Sequence, residues 1–177
     1  MRGRALPAVA LATVLAVVLG LPQTDALAER AAVVKPLSAF PRERITIETR
    51  GARRHVFAAW RADTPQTRAQ GLMFVPELGT DQAMIFVYSP AQQVGMWMMN
   101  TLIPLDMLFV DEAGCVVKVH ERAEPGSLDT ISSGAPVVVV VELAGGTTSR
   151  LGIAAGDRVL RPDARWPRAA RPCTARN

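Results

Sequence analysis

Sulfur is concentrated in one short stretch of the sequence, Met96-Trp97-Met98-Met99, with Met107 soon after it. In an extended strand, Met96 and Met98 point to one face while Trp97 and Met99 point to the other. Two thioethers on one face are soft donors that select cuprous copper, and His120 would supply a third ligand if a sheet brings it round. The competing reading is core packing, because unbranched methionine fills irregular gaps beside aromatic rings. The expectation is a domain without a cofactor, with copper or another soft metal as the alternative.

A second constellation, Asn100, Thr101 and Asp106, brackets Pro104. A carboxylate between Leu105 and Met107 cannot be buried bare. It must face solvent, accept from backbone amides of the connection, or meet a cation such as Arg68. One reading joins Arg68, Trp97, Asn100, Thr101, Asp106 and Glu142 into a site for a small polar ligand, with Asp106 as acceptor and Trp97 as a stacking face. The other has Asn100, Thr101 and Asp106 satisfying the backbone of a strained connection. Glu142, at the end of a very apolar run, is expected to pair with an arginine or cap a turn.

Catalysis has thinner support. His55 and His120 are the only imidazoles, and Ser127, Ser132 and Ser133 lie in one long polar segment without a GxSxG elbow around any of them. A Ser-His-Asp arrangement assembled in space, or Asp106 and Glu142 as a carboxylate pair for sugar chemistry, would make the chain a hydrolase. Gly145-Gly146 and Gly156-Asp157 are turns and not phosphate loops, since no Lys-Ser or Lys-Thr follows them.

The elements that must position these residues are mostly strands. Ile45, Ile47 and Thr49 alternate with polar neighbours, and the apolar residues 56–60 follow after an Arg50-Gly51 turn. Thr64 can cap, Pro65 suits a first helical position and Gly71 can close, so one or two helical turns are expected there. Apolar or alternating runs follow at 83–88, 94–99, 107–110, 115–121 and 137–143, the last too rich in valine for a favourable helix. Residues 125–136 form a loop, 147–152 a helical turn and 158–160 a last short strand. About seven short strands with one or two helical turns predict an all-β domain, a compact antiparallel sandwich or barrel.

Five separated motifs then stand in order: Arg68-x-x-Gly71-Leu72-Met73-Phe74; Ala83-Met84-Ile85-Phe86; Trp97-Met98-x-Asn100-Thr101-x-x-Pro104-Leu105-Asp106; Glu142-Leu143 with Gly145; and Gly152-Ile153-x-x-Gly156-Asp157-x-Val159. Together they resemble the bacterial and archaeal family known as domain of unknown function 192, across residues 45–160. The resemblance implies a compact all-β domain, often exported, without an established activity. Some relatives carry paired cysteines in the long loop; residues 125–130 depart from that pattern and contain none, so a disulfide or metal role of the loop does not carry over from the resemblance.

The ends of the chain carry the compartment. Arg2 and Arg4 precede an apolar run of about 15 residues, shorter than the ~20 a membrane span needs, and Ala26-Leu27-Ala28 is a small-x-small cleavage site. Residues 1–28 are thus expected to be a signal peptide cleaved near Ala28, leaving no membrane span and a periplasmic or secreted protein. Residues 29–44 are read as a linker, 45–160 as the all-β domain and 161–177 as a disordered basic tail.

The 177-residue chain has a formal net charge of +4, yet residues 29–160 carry 13 basic against 14 acidic side chains, so the basicity belongs to the ends. A nucleic-acid partner is not expected; a small polar ligand or an envelope protein is. Two cysteines exclude a disulfide scaffold. Cys115 and Cys173 either bridge, tethering the tail, or remain as a strand-buried thiol and a free one. The sequence leaves three classes open: a non-catalytic binding domain, a soft-metal protein and a hydrolase.

Overall fold

A computed structural model of the chain describes residues 34–161 and 172–173. Nine strands and two short helices follow a single turn of 3-10 helix at Leu37–Ala39. The strands are β1 (Arg42–Glu48), β2 (Arg54–Ala62), β3 (Gln82–Gln92), β4 (Gly95–Met96), β5 (Leu105–Val110), β6 (Val116–Ala123), β7 (Ile131–Ser132), β8 (Val137–Ala144) and β9 (Arg158–Leu160). The helices are α1 (Pro65–Gln70) and α2 (Thr147–Leu151). The protein is all-β, as expected.

Seven strands form one sheet in the order β6-β5-β8-β3-β2-β1-β9, and β4 pairs with β7 in a small second sheet. The large sheet curls until its two edges meet, where Cys115 bridges to Arg158 and Val159 N–H donates to Gly114 O at 2.8 Å. The central strands β5 and β8 are buried on both faces, which is why they read as unbroken apolar runs rather than alternating ones.

The antiparallel expectation holds for every pair in the large sheet except β2 and β3, which run parallel, with Ala59 opposite Ala83 and Trp60 opposite Met84. Parallel neighbours cannot be joined by a tight turn. The chain therefore crosses over one face of the sheet between Ala62 and Gln82, and α1 lies in that crossover. This crossover positions the candidate site.

Two cores result. Ile45, Phe57, Ile85, Leu108, Val116 and Val159 fill the inside of the curl, drawing on both edge strands. Trp60, Met84, Phe86, Met98, Met107 and Val140 form the other core, on the opposite face of the sheet. Phe40, only 3% exposed, belongs to this second core, and β1 already begins at Arg42. Residues 37–44 are thus part of the domain and not linker, because Phe40 has apolar surface to bury.

Cys115 and Cys173 form a disulfide. Of the two readings left open, the bridge is the one realised, and it anchors Cys173 at the seam where the sheet edges meet. Arg161, placed in the tail by the sequence, is bound through its guanidinium to Glu43. The other residues of the expected tail, and all those of the expected signal peptide, lie outside the described residues.

Candidate functional site

Local chemistry builds the crossover. Thr64 caps α1 by accepting from Thr67 N–H, the Thr67 hydroxyl accepts from Thr64 N–H in return, and Pro65 occupies the first turn. Gly71 ends the helix at φ +50°, where a Cβ would lie 3.0 Å from Phe86 Cζ. Only glycine lets the chain turn there and lie directly on the ring. Arg68, on the last turn, reaches over the Tyr88 ring at 5.1 Å and donates from Nη1 to Asp63 O and Val87 O, each at 2.9 Å.

Opposite α1, the segment from Val94 to Thr101 keeps the alternation expected from its sequence: Val94, Met96 and Met98 are buried, Trp97 and Met99 exposed. A turn closes it, with Thr101 N–H donating to Met98 O at 3.0 Å and Asn100 at φ +56°. Asn100 O accepts from Phe74 N–H at 2.9 Å, tying this turn to the crossover.

Between the two segments lies a cavity of about 330 Å³. Leu72, Met73, Phe86, Met96, Trp97 and Met99 give it apolar walls. Its polar groups are Arg68, Gln70, Tyr88, Thr101 and Glu142. The Tyr88 hydroxyl donates to Met96 Sδ at 3.6 Å. Burial pushes that hydroxyl up to about 12, against the pull of the Arg68 charge.

Glu142 is the unusual member. It is 4% exposed, and its Oε2 is buried without a hydrogen-bond partner. It lies on β8 between Met84 of β3 and Met107 of β5. Burial pushes its carboxyl up to about 8, so at neutral pH it keeps its proton. The expected arginine partner or turn-capping role is not realised: Arg68 Nη1 donates to Asp63 O and Val87 O, and Glu142 Oε2 has no hydrogen-bond partner.

The structure thus brings Arg68, Trp97, Thr101 and Glu142 together in one cavity, with Met96, and leaves out two predicted members. Asn100 shapes the rim but does not line the cavity. Asp106 is on the other face of the sheet, since its neighbour Met107 is the one that shares a face with Glu142. It is fully buried and accepts four hydrogen bonds: from Arg122 N–H and Gly146 N–H on Oδ1, both at 2.9 Å, and from Thr148 N–H (2.8 Å) and Oγ1 (2.7 Å) on Oδ2. Burial alone would push this carboxyl up, but those bonds outweigh it and hold the pKa below the ordinary value.

Two alternatives meet the same geometry. Asp106 and Glu142 point to opposite faces, so they cannot flank one glycosidic bond. The serine hydroxyls serve their own loop: Ser127 accepts from Asp129 N–H, Ser132 from Gly134 N–H, and Ser133 from Val94 N–H while donating to Ala135 O. His55, with its Nε2 buried and unpartnered, sits opposite Ile47 on β1. Met98 is fully buried in the core, and His120 lies beyond β5, opposite Met107. Of the soft-donor candidates, Met96 lines the cavity, Met98 is buried in the same core cluster, and His120 lies on β6 opposite Met107 of that cluster. Among the described residues no three His, Cys, Asp or Glu side chains cluster to hold a metal ion. Tyr88 and Met73 are cavity residues that sequence reasoning missed; Tyr88, the chain's one tyrosine, ending an apolar run before Ser89-Pro90, was the signal available.

Comparison with known proteins agrees with the motif reading. No curated protein matches the chain. A crystal structure from Sinorhizobium meliloti 1021, named provisionally as a transcription regulator, is 39% identical, with a TM-score of 0.68 over 69% of this chain and 95% of that one. A protein of unknown function from Novosphingobium aromaticivorans DSM 12444 is 37% identical, also with a TM-score of 0.68, over 72% of this chain and 90% of that one. The family described as "Uncharacterized ACR", domain of unknown function 192, matches residues 45–160, and the chain belongs to that family.

Proposed function

We propose that the chain is an exported, non-catalytic binding domain that holds a small ligand with polar and apolar parts in the cavity between α1 and the Met96 to Thr101 segment. The observation that carries this reading is Glu142, a buried carboxyl lining a cavity with one oxygen unpartnered. A buried polar group left without a partner costs about 1–3 kcal/mol, which an occupant's hydrogen bond recovers. The cavity, about 330 Å³, is of the size that takes small molecules, and apolar walls with few convergent polar groups are the usual composition of such sites. Trp97, 50% exposed, offers a ring face at the mouth.

Export rests on the leader-like residues 1–28, and the Cys115–Cys173 bridge fits an oxidising compartment. Among the described residues no helix is long and apolar enough to cross a membrane. The provisional name of the Sinorhizobium relative is not carried over, because residues 29–160 have no excess of positive charge to meet phosphates.

Native mass spectrometry of the protein purified from a periplasm without chelators tests the reading. The expected result is an organic adduct that is lost on Trp97→Ala. A bare protein that no member of a small-molecule library stabilises contradicts it, and an adduct of one copper mass would transfer the site to its thioethers.

A further inference from the structure

The geometry points to a ligand class for this cavity: a small carboxylate with an apolar body, its oxygens held among Arg68, Tyr88 and Glu142. The inference rests on the cavity being the binding site and adds what binds there.

Gln70 and Thr101 spend their polar groups on Lys35 and Met99 O, and the three remaining polar lining residues, Arg68, Tyr88 and Glu142, can each donate. A guanidinium has five N–H groups and no acceptor. The two carbonyls that Arg68 Nη1 meets fix the group over Tyr88, and among the described residues its Nε and Nη2 groups meet no acceptor. The Tyr88 hydroxyl donates to a thioether at 3.6 Å, a weak acceptor that a carboxylate oxygen displaces readily. Glu142 keeps its proton up to about pH 8 and can therefore donate as well. The lining carries the single positive charge of Arg68 and, with Glu142 protonated, no negative one. An anion with two oxygens satisfies this arrangement, whereas a cation would face Arg68 without an ionised partner. The walls of Leu72, Met73, Met96 and Trp97 suit the apolar remainder.

The same arrangement makes binding pH-dependent. Glu142 shares the cavity with Arg68 from α1 and Tyr88 from β3, and Tyr88 feels the charges of both Arg68 and Glu142; the flanking neighbours Met84 and Met107 are uncharged, and His120 lies one strand farther out, opposite Met107. Tyr88 stays protonated over the neutral range, since burial pushes its hydroxyl up to about 12. Loss of the Glu142 proton places a second negative charge beside the ligand's own.

Phenylacetate and benzylammonium are the probes, titrated calorimetrically into the exported protein from about pH 6 to about pH 9.5. The expected phenylacetate affinity is flat at the acid end and falls about tenfold per pH unit above about 8, the limiting slope for one proton. Glu142→Gln, uncharged with an amide donor, keeps binding and removes the fall; Arg68→Gln weakens binding at least tenfold throughout; and His120→Gln leaves the profile unchanged. Phenylacetate binding that ignores pH and both cavity substitutions overturns the inference. So does preferential binding of benzylammonium, or a native organic adduct with no phenylacetate binding; both leave the cavity a binding site. Failure of both probes together with a bare protein in native mass spectrometry removes the binding reading itself.

Discussion

Asp106 and Glu142 sit on adjacent strands, one residue out of register and on opposite faces of the same sheet, and they are treated in opposite ways. Asp106 meets four donors drawn from three places in the chain: Arg122 in β6, Gly146 at the turn after β8, and Thr148 in α2. The Arg122 amide is available because the β5–β6 register shifts there, with Arg122 at φ +51°. Gly146, at φ +85°, is in a conformation that strains any other residue, and a Cβ there would lie 2.7 Å from Arg122 Nη2 and push that guanidinium aside. Asp106 is thus the clasp of a turn, a bulge and a helix start. Glu142 clasps nothing and lines a cavity. The difference separates a polar group that holds the fold from one that the proposed function assigns to another molecule.

The sharpest way to break the comparison is Asp106→Ala. It leaves the buried amides of Gly146 and Thr148 without their acceptor, and a loss of about 5 kcal/mol is expected in denaturant titration, at the upper end for one substitution. Affinity at the cavity should change less than about twofold. If binding falls while stability holds, the roles are reversed.

The two carboxyls also respond to pH with opposite signs. The folded-state pKa of Glu142, about 8, is raised above its unfolded value, so its contribution to stability is full at acid pH and is lost as pH rises toward about 8. That of Asp106 is lowered, so its contribution is present above the unfolded value and is lost as pH falls through the folded one. Glu142→Gln should therefore gain on wild type by about 4 kcal/mol between about pH 5 and pH 9, read from paired melting curves. Parallel curves across that range would show that Glu142 is not held neutral.

Cys173→Ser tests a third, purely structural tie. The bridge spans 58 residues and closes onto the seam beside Arg158, so its loss should cost about 3 kcal/mol, with no change at the cavity. Trp97→Ala is the smallest change in stability, under about 0.5 kcal/mol because the ring is half exposed. Its effect should instead appear as a fall of about tenfold or more in ligand affinity, which restores the contrast between holding and binding.

Much of this was legible where the controlling chemistry is local. Thr64, Pro65 and Gly71 announce α1 because capping and a left-handed stop depend on a few neighbouring residues. The alternation from Val94 to Met99 announces which side chains face the core, because extended backbone has period two. The parallel pairing of β2 with β3 was not legible, since each strand alone reads the same whichever direction its neighbour runs. Asp106 was half legible: its burial required donors, and backbone amides were among those named, but two of the residues that supply them lie 40 and 42 positions away in sequence. For Glu142 the rule that buried charge finds a partner pointed to an arginine, and the fold instead buries the group so deeply that it keeps its proton. The pairing of Cys115 with Cys173 depended on where β6 and β9 meet, which no local pattern encodes.

The most direct measurement is a carbon-13 NMR titration of the side-chain carboxyls of Asp106 and Glu142 in one sample, with and without phenylacetate. The account predicts Asp106 ionising below the ordinary carboxylate range and unmoved by the ligand, and Glu142 ionising near about 8 and moved higher still. Glu142 titrating in the ordinary carboxylate range, unchanged by the ligand, would contradict it.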